Sequence, residues 1–100
     1  MPEIPEAVVI VTEGLEGPAV ERWARLIAEA VALHPASLII DLRACPLVDA
    51  AAIAVLLRAH RGMVAAGGSL TLRFPRDKVR RTLRLARLDQ VFEVDAGVPA

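Results

Sequence analysis

The stretch 46–57, PLVDAAAIAVLL, sets a single acid, Asp49, between an apolar approach and a helix-forming run that starts on three alanines. An aspartate there suits a helix N-cap. Its carboxylate can accept hydrogen bonds from the free backbone N–H groups of Ala51 and Ala52, and it faces the positive end of the helix dipole. No base, thiol or second acid stands beside it, so the pattern explains the acid as structure and offers no reaction.

The other residues with chemical potential are equally isolated. His34 and His60 fall in different predicted helices, and neither has an acid or cysteine at metal-ligand spacing. Ser37 and Ser69 open predicted strands, without the strand-turn-helix elbow that exposes a nucleophilic serine. Gly67-Gly68 closes a helix instead of opening one, and no GxxxxGK[ST] or GxGxxG pattern accompanies it. A receiver-type phosphoaspartate would need clustered acids and a supporting lysine, whereas Lys78 is the sole lysine and lies in a helix. Cys45 is the only cysteine, which excludes an intrachain disulfide and a thiolate metal cluster and fits a reducing cytoplasm. The residues therefore predict no catalytic set, no metal site and no cofactor.

A chain of 100 residues can bury one core. With 55% hydrophobic residues but only 3% aromatic, that core must be built from Ala, Val, Leu and Ile, which suits helices layered on a buried sheet. The net charge is zero but unevenly spread: residues 1–57 carry eight acids and three bases, residues 58–100 nine bases and four acids. A surface polarised in this way can orient a charged partner, while the balanced total argues against general affinity for nucleic acid or anionic membrane. The acidic, proline-containing start MPEIPEAVVIV lacks the basic region of a signal peptide, and no segment reaches the roughly 18 apolar residues of a membrane span.

The elements that must position Asp49 follow from periodicity. VVIVT at 8–12 reads as a buried strand, and Pro18 suits the first turn of a helix from Ala19 to about Leu33, ended by Pro35. SLIIDL at 37–42 reads as a central strand, because Leu38, Ile39 and Ile40 in succession predict cover on both faces. A second helix spans Ala50 to about Ala66. Its expected inward stripe is Ile53, Leu56, Leu57, His60 and Val64, and Gly67-Gly68 stops it. SLTLRF at 69–74 alternates as a half-exposed strand, a basic helix follows from about Asp77 to Leu88, and VFEV at 91–94 is a short last strand. The alternation predicts an α/β domain over 8–95 with a mostly parallel four- to five-stranded sheet and three or more packed helices, flanked by tails at 1–7 and 96–100.

Two features allow a bland and a functional reading. Trp23 falls on the apolar stripe of the first helix and is read as core, with an exposed partner anchor as the rival. The basic third helix, with Arg76, Lys78, Arg80, Arg81, Arg84 and Arg87, is read first as a solvated face, then as a protein-docking face. Nucleic acid comes last, since no aromatic side chain is interleaved and Asp89, Glu93 and Asp95 follow closely.

The run LIIDLRACPLVDAAAIAVLLRAHRGMVAAGGSLTL resembles the STAS domain of anti-sigma-factor antagonists. The resemblance covers roughly residues 8–95. It rests on a strand ending in Asp-Leu, an apolar-Asp cap before an apolar helix, a glycine pair before the next strand and the closing LRLARLDQVFEV. In that family the cap usually reads Asp-Ser-Ser-Gly or Asp-Ser-Thr-Gly, and a cognate anti-sigma kinase phosphorylates the second hydroxyl residue. Here Ala50, Ala51 and Ala52 stand in those three places, so the cap is kept and Ala51 is a degenerate phosphorylation position. Many relatives also carry a further strand before the one equivalent to VVIVT, for which the seven preceding residues with Pro2 and Pro5 are poorly suited.

The resemblance implies a non-catalytic bacterial regulatory module that binds a kinase-like anti-sigma factor or serine kinase of its pathway. The surface expected to carry this is Asp49, Ala50, Ala51, Ala54, Val55 and Arg58, where small outward side chains let another backbone approach closely. The rival is a STAS-type subunit of a larger assembly, such as a stress-signalling complex or a lipid-transport ATPase. Either reading involves no direct contact with nucleic acid and is compatible with a homodimer.

Overall fold

The computed structural model describes residues 4–97, so the tails expected at 1–7 and 96–100 lie partly outside the described residues. Seven elements alternate: β1 (Glu6–Ile10), α1 (Ala19–Ala32), β2 (Ser37–Asp41), α2 (Ala50–Ala65), β3 (Ser69–Arg73), α3 (Asp77–Leu85) and β4 (Glu93–Asp95). The strands form one parallel sheet in the order β1-β2-β3-β4. Val8 pairs with Ile39 and Ile39 with Thr71, and Thr71 meets Glu93 on the last strand. Consecutive parallel neighbours call for right-handed crossovers that keep every helix on one side of the sheet, and residues of all three helices share one core with the inward strand residues.

That topology corrects the expectation of a sheet covered on both faces. Leu38, Ile40, Leu70 and Leu72 point into the core with Leu56, Met63, Val79 and Leu83. Their alternate neighbours Ser37, Ile39, Ser69 and Thr71 are only half-buried, and Val8 and Ile10 of β1 are exposed. Leu38, Ile39 and Ile40 are successive apolar residues, yet only the first and third meet helices; the run reflects β propensity at Ile39 more than double cover.

β1 begins two residues earlier than periodicity predicts and ends two earlier. Pairing sets its start: the N–H groups of Ala36 and Ser37 donate to the carbonyls of Ile4 and Pro5, both at about 3 Å. A proline can accept in this way while lacking a donor of its own. Among the described residues no strand precedes β1.

α2 buries Ala52, Leu56, Ala59 and Met63; of the expected stripe Leu56 is buried, Ile53, Leu57 and His60 are half-buried, and Val64 is exposed. Packing against α1 rotates the buried line. Gly62 approaches α1 so closely that a Cβ there would lie 3.1 Å from Val31 Cγ1. The helix ends as expected at Gly67, whose φ of 83° is a left-handed turn that favours glycine. Gly68 is needed for a different reason, since a Cβ would come within 2.9 Å of the Pro35 carbonyl oxygen.

α3 stops at Leu85, short of the expected Leu88, because Arg87 turns left-handed at φ 59° and the Leu88 N–H closes back on the Leu83 carbonyl at 2.8 Å. Val91 and Phe92 belong to the following turn, with both N–H groups on the Leu88 carbonyl, so β4 starts later than predicted. Phe92 is buried edge-on against His60, ring centroids 5.6 Å apart.

Candidate functional site

Three loops meet at the carboxyl ends of the strands, and Asp49 ties two of them together. One oxygen, Oδ1, accepts the N–H of Ala52 at 2.8 Å, the N-cap bond that the sequence predicts. The other, Oδ2, accepts the N–H of Gly17 in the β1–α1 loop at 3.0 Å, where Ala51 was the expected donor. Gly17 adopts φ 55°, which frees its N–H to point across the gap. The loops are further zipped by Leu15 and Val48, with the Leu15 N–H on the Leu47 carbonyl and the Asp49 N–H on the Leu15 carbonyl, each 2.9 Å. The hydrogen bonds from Ala52 and then Gly17 hold the Asp49 carboxyl below the usual aspartate range.

From this cap α2 presents Ala50, Ala51, Ala54 and Arg58 to solvent. Val55, expected on the same surface, is half-buried instead: with Arg58, Ala24 and Ala28 it lines a groove of about 280 Å³ between α1 and α2. The site residues thus form an exposed alanine step, continued by an apolar groove with one guanidinium at its margin.

Next to the cap, Asp41 and Arg73 pair at 3.2 Å across β2 and β3, Asp41 being almost fully buried and also accepting the Arg43 N–H at 2.9 Å. Phe74, in the left-handed region at φ 55°, lies under Arg43, whose guanidinium carbon is 4.3 Å from the ring centroid. Arg76 donates to the Arg43 carbonyl at 2.9 Å and joins the third loop to the second. Sequence reasoning passed over this cluster, although DLR and LRF hold the paired charges at matching register.

On the other side of the cap, Glu13 accepts from Trp23 Nε1 and from Arg22, each at 3.0 Å, and these bonds lower its pKa. Trp23 is half-buried against the core, with its polar edge spent on Glu13. Cys45 is fully buried and donates its thiol to the Leu47 carbonyl at 3.2 Å; burial pushes its pKa up, away from a reactive thiolate. Among the described residues no three His, Cys, Asp or Glu side chains are grouped as metal ligands, and no helix is long and apolar enough to cross a membrane.

The family model of the STAS domain matches residues 1–99 of the chain. Among solved structures, the chain is similar to an anti-sigma factor antagonist from Mycobacterium paratuberculosis, with 21% identity, 94% of this chain and 80% of that one covered and a TM-score of 0.84. It is also similar to the anti-sigma factor antagonist SpoIIAA in its unphosphorylated form, with 18% identity, 94% and 83% covered and a TM-score of 0.74. At such identities the likeness is one of fold. No curated protein matches the sequence.

Proposed function

The chain belongs to the STAS domain family, and from that premise we propose that it is a non-catalytic regulatory module that binds a kinase-like anti-sigma factor through the Asp49 cap and the outer face of α2. The observation that carries this reading is the position of Ala51. It is exposed in the first turn of α2, just after a cap whose carboxylate is hydrogen-bonded to both Ala52 and Gly17. A small-residue surface loses little conformational entropy on binding and lets a partner backbone come close.

In the related motif this position holds the phosphorylated hydroxyl. A phosphate would add about −1.5 to −2 charge at the contact. Alanine cannot carry it, so the proposed binding is constitutive, with control exerted elsewhere. Of the five hydroxyl residues, Ser37, Ser69 and Thr71 lie in β2 and β3 and Thr12 follows β1. Thr82 is half-buried in α3 with its hydroxyl on the Lys78 carbonyl at 3.1 Å.

The test is binding to each kinase-like anti-sigma factor of the same organism, by calorimetry, followed by incubation with ATP and intact-mass measurement. The expected outcome is binding without a phosphate adduct, binding weakened at least about tenfold by Ala51→Asp, and an adduct restored in Ala51→Ser. A phosphate adduct on the unaltered chain overturns the proposed loss of the switch. The absence of a hydroxyl also favours a second reading, a STAS-type subunit of a stress-signalling complex or lipid-transport ATPase. That reading is supported if no anti-sigma factor binds and the chain co-purifies stoichiometrically with such an assembly.

A further inference from the structure

The most strongly charged surface outside the Asp49 region is α3 and the cleft beside it. Arg76, Lys78, Arg80, Arg81, Arg84 and Arg87 are all exposed. Among the described residues the ion pairs are Arg22–Glu13 and Arg73–Asp41, and neither involves α3. Arg76, Arg80 and Arg84 recur every fourth residue, which aligns three like charges along one helix line, an arrangement that repels itself. Leu85 stands among them 80% exposed, the most exposed large hydrophobic side chain of the described residues. Between α3 and β4 lies a cavity of about 220 Å³, with Arg80, Arg84 and Asp89 beside Leu83, Val94 and Ala96.

We propose that this face is a second docking surface, made of residues separate from the Asp49 surface, for an acidic polypeptide segment that carries apolar anchor residues. The cations of α3, none of them in an ion pair among the described residues, supply charge complementarity and steer encounter. The apolar floor of the cleft supplies the desolvated contact that distinguishes docking from a diffuse counter-ion cloud, and Leu85, which lies outside the cleft, offers a separate exposed anchor on α3. A nucleic acid fits less well. No aromatic side chain is exposed on α3 for base stacking, and the exposed Asp89, Glu93 and Asp95 interrupt any track for a uniform phosphate backbone. A membrane surface fits less well too, because the apolar stripe of α3, Val79 and Leu83, is already committed to the core. A peptide can place its acids opposite the arginines and leave the three acids of the rim alone.

The probe is a labelled peptide in which pairs of Leu alternate with pairs of Glu, titrated with the full chain and followed by fluorescence anisotropy. Saturable binding is expected, weakening at least about tenfold when NaCl rises from about 50 to about 300 mM. It should also weaken at least about tenfold in the double variant Arg80→Glu, Arg84→Glu, and several-fold in Leu85→Asn. The exposed positions leave the fold intact, which circular dichroism verifies. No binding at low salt overturns the proposal, as does equal binding by the charge-reversed chain or by a leucine-free glutamate peptide. Tighter binding of oligodeoxythymidine or of phosphatidylglycerol vesicles than of the peptide overturns it in favour of a nucleic-acid or membrane surface.

Discussion

α2 and α3 begin and end with the same backbone geometry and differ in the residues placed on it. Both N-caps are extended, Asp49 at φ −97° and Arg76 at φ −67°, but only Asp49 gives its side chain to the first turn. Both C-termini close through a bond from the residue five along, Gly68 to Met63 and Leu88 to Leu83, each 2.8 Å. The left-handed residue between is Gly67 in one and Arg87 in the other. α2 is thus locally self-consistent, whereas α3 is mixed: Asp77 in its first turn and Arg84 in its last complement the dipole, but the Arg76 cap adds a cation at the positive end, Arg87 puts a Cβ in left-handed backbone, and Arg76, Arg80 and Arg84 line up like charges. The side-chain-capped element exposes small, uncharged residues in its first turns, and the element with a basic cap exposes charge.

The largest effects should come from the core beneath each helix. Leu56→Ala removes a fully buried side chain at the centre of α2 and should cost about 3–5 kcal/mol by urea denaturation. Leu83→Ala, beside the open α3 cleft, should cost about 2–3 kcal/mol because neighbours can move into the space. Equal losses would mean that α3 is packed as firmly as α2 and that its local conflicts do not loosen it.

A smaller pair of changes exchanges the C-terminal residues. Gly67→Arg should destabilise by about 1–2 kcal/mol, and Arg87→Gly should stabilise by about 1 kcal/mol, since the first adds and the second removes a Cβ in the left-handed region. If Arg87→Gly is neutral in thermal melts, the turn after α3 is not strained.

The contrast also separates what was legible in the sequence from what was not. Asp49 as a cap and Gly67-Gly68 as a stop could be read because their residue types have one strong backbone preference each. The end of α3 could not, because an arginine carries no signal for φ > 0 and Leu85, Ala86 and Leu88 continue a helical pattern. STAS membership, the alternation of strands and helices and the parallel sheet were legible from order and spacing. One-sided cover of the sheet followed from strand order, which periodicity does not report. At the candidate site, the exposure of Ala50, Ala51, Ala54 and Arg58 agrees with the helical wheel, whereas Val55 is drawn into the α1 groove by the tertiary approach of Gly62 to Val31. The second bond of Asp49, to Gly17, joins residues 32 apart and could come only from the fold.

That second bond leads to the subtlest test, the charge of the cap. The Asp49 pKa is lowered in the folded chain by the Ala52 and Gly17 N–H groups, so the ionised form is the one the fold prefers. Its stabilisation is therefore complete above the ordinary aspartate pKa of about 3.9 and is lost as pH falls through the lower folded value. Asp49→Asn keeps a carbonyl oxygen for one N–H but has no charge at any pH. The variant should show a lower urea midpoint at pH 7, and the gap should narrow as pH falls below about 4. Glu13, whose pKa is lowered by Trp23 and Arg22, weakens the fold over the same acid range in both proteins and cancels in the difference. A gap that stays constant from neutral to acid pH would show that Asp49 joins the two loops by geometry alone, and the dipole at the first turn of α2 would then be left without the charge that Asp77 supplies to α3.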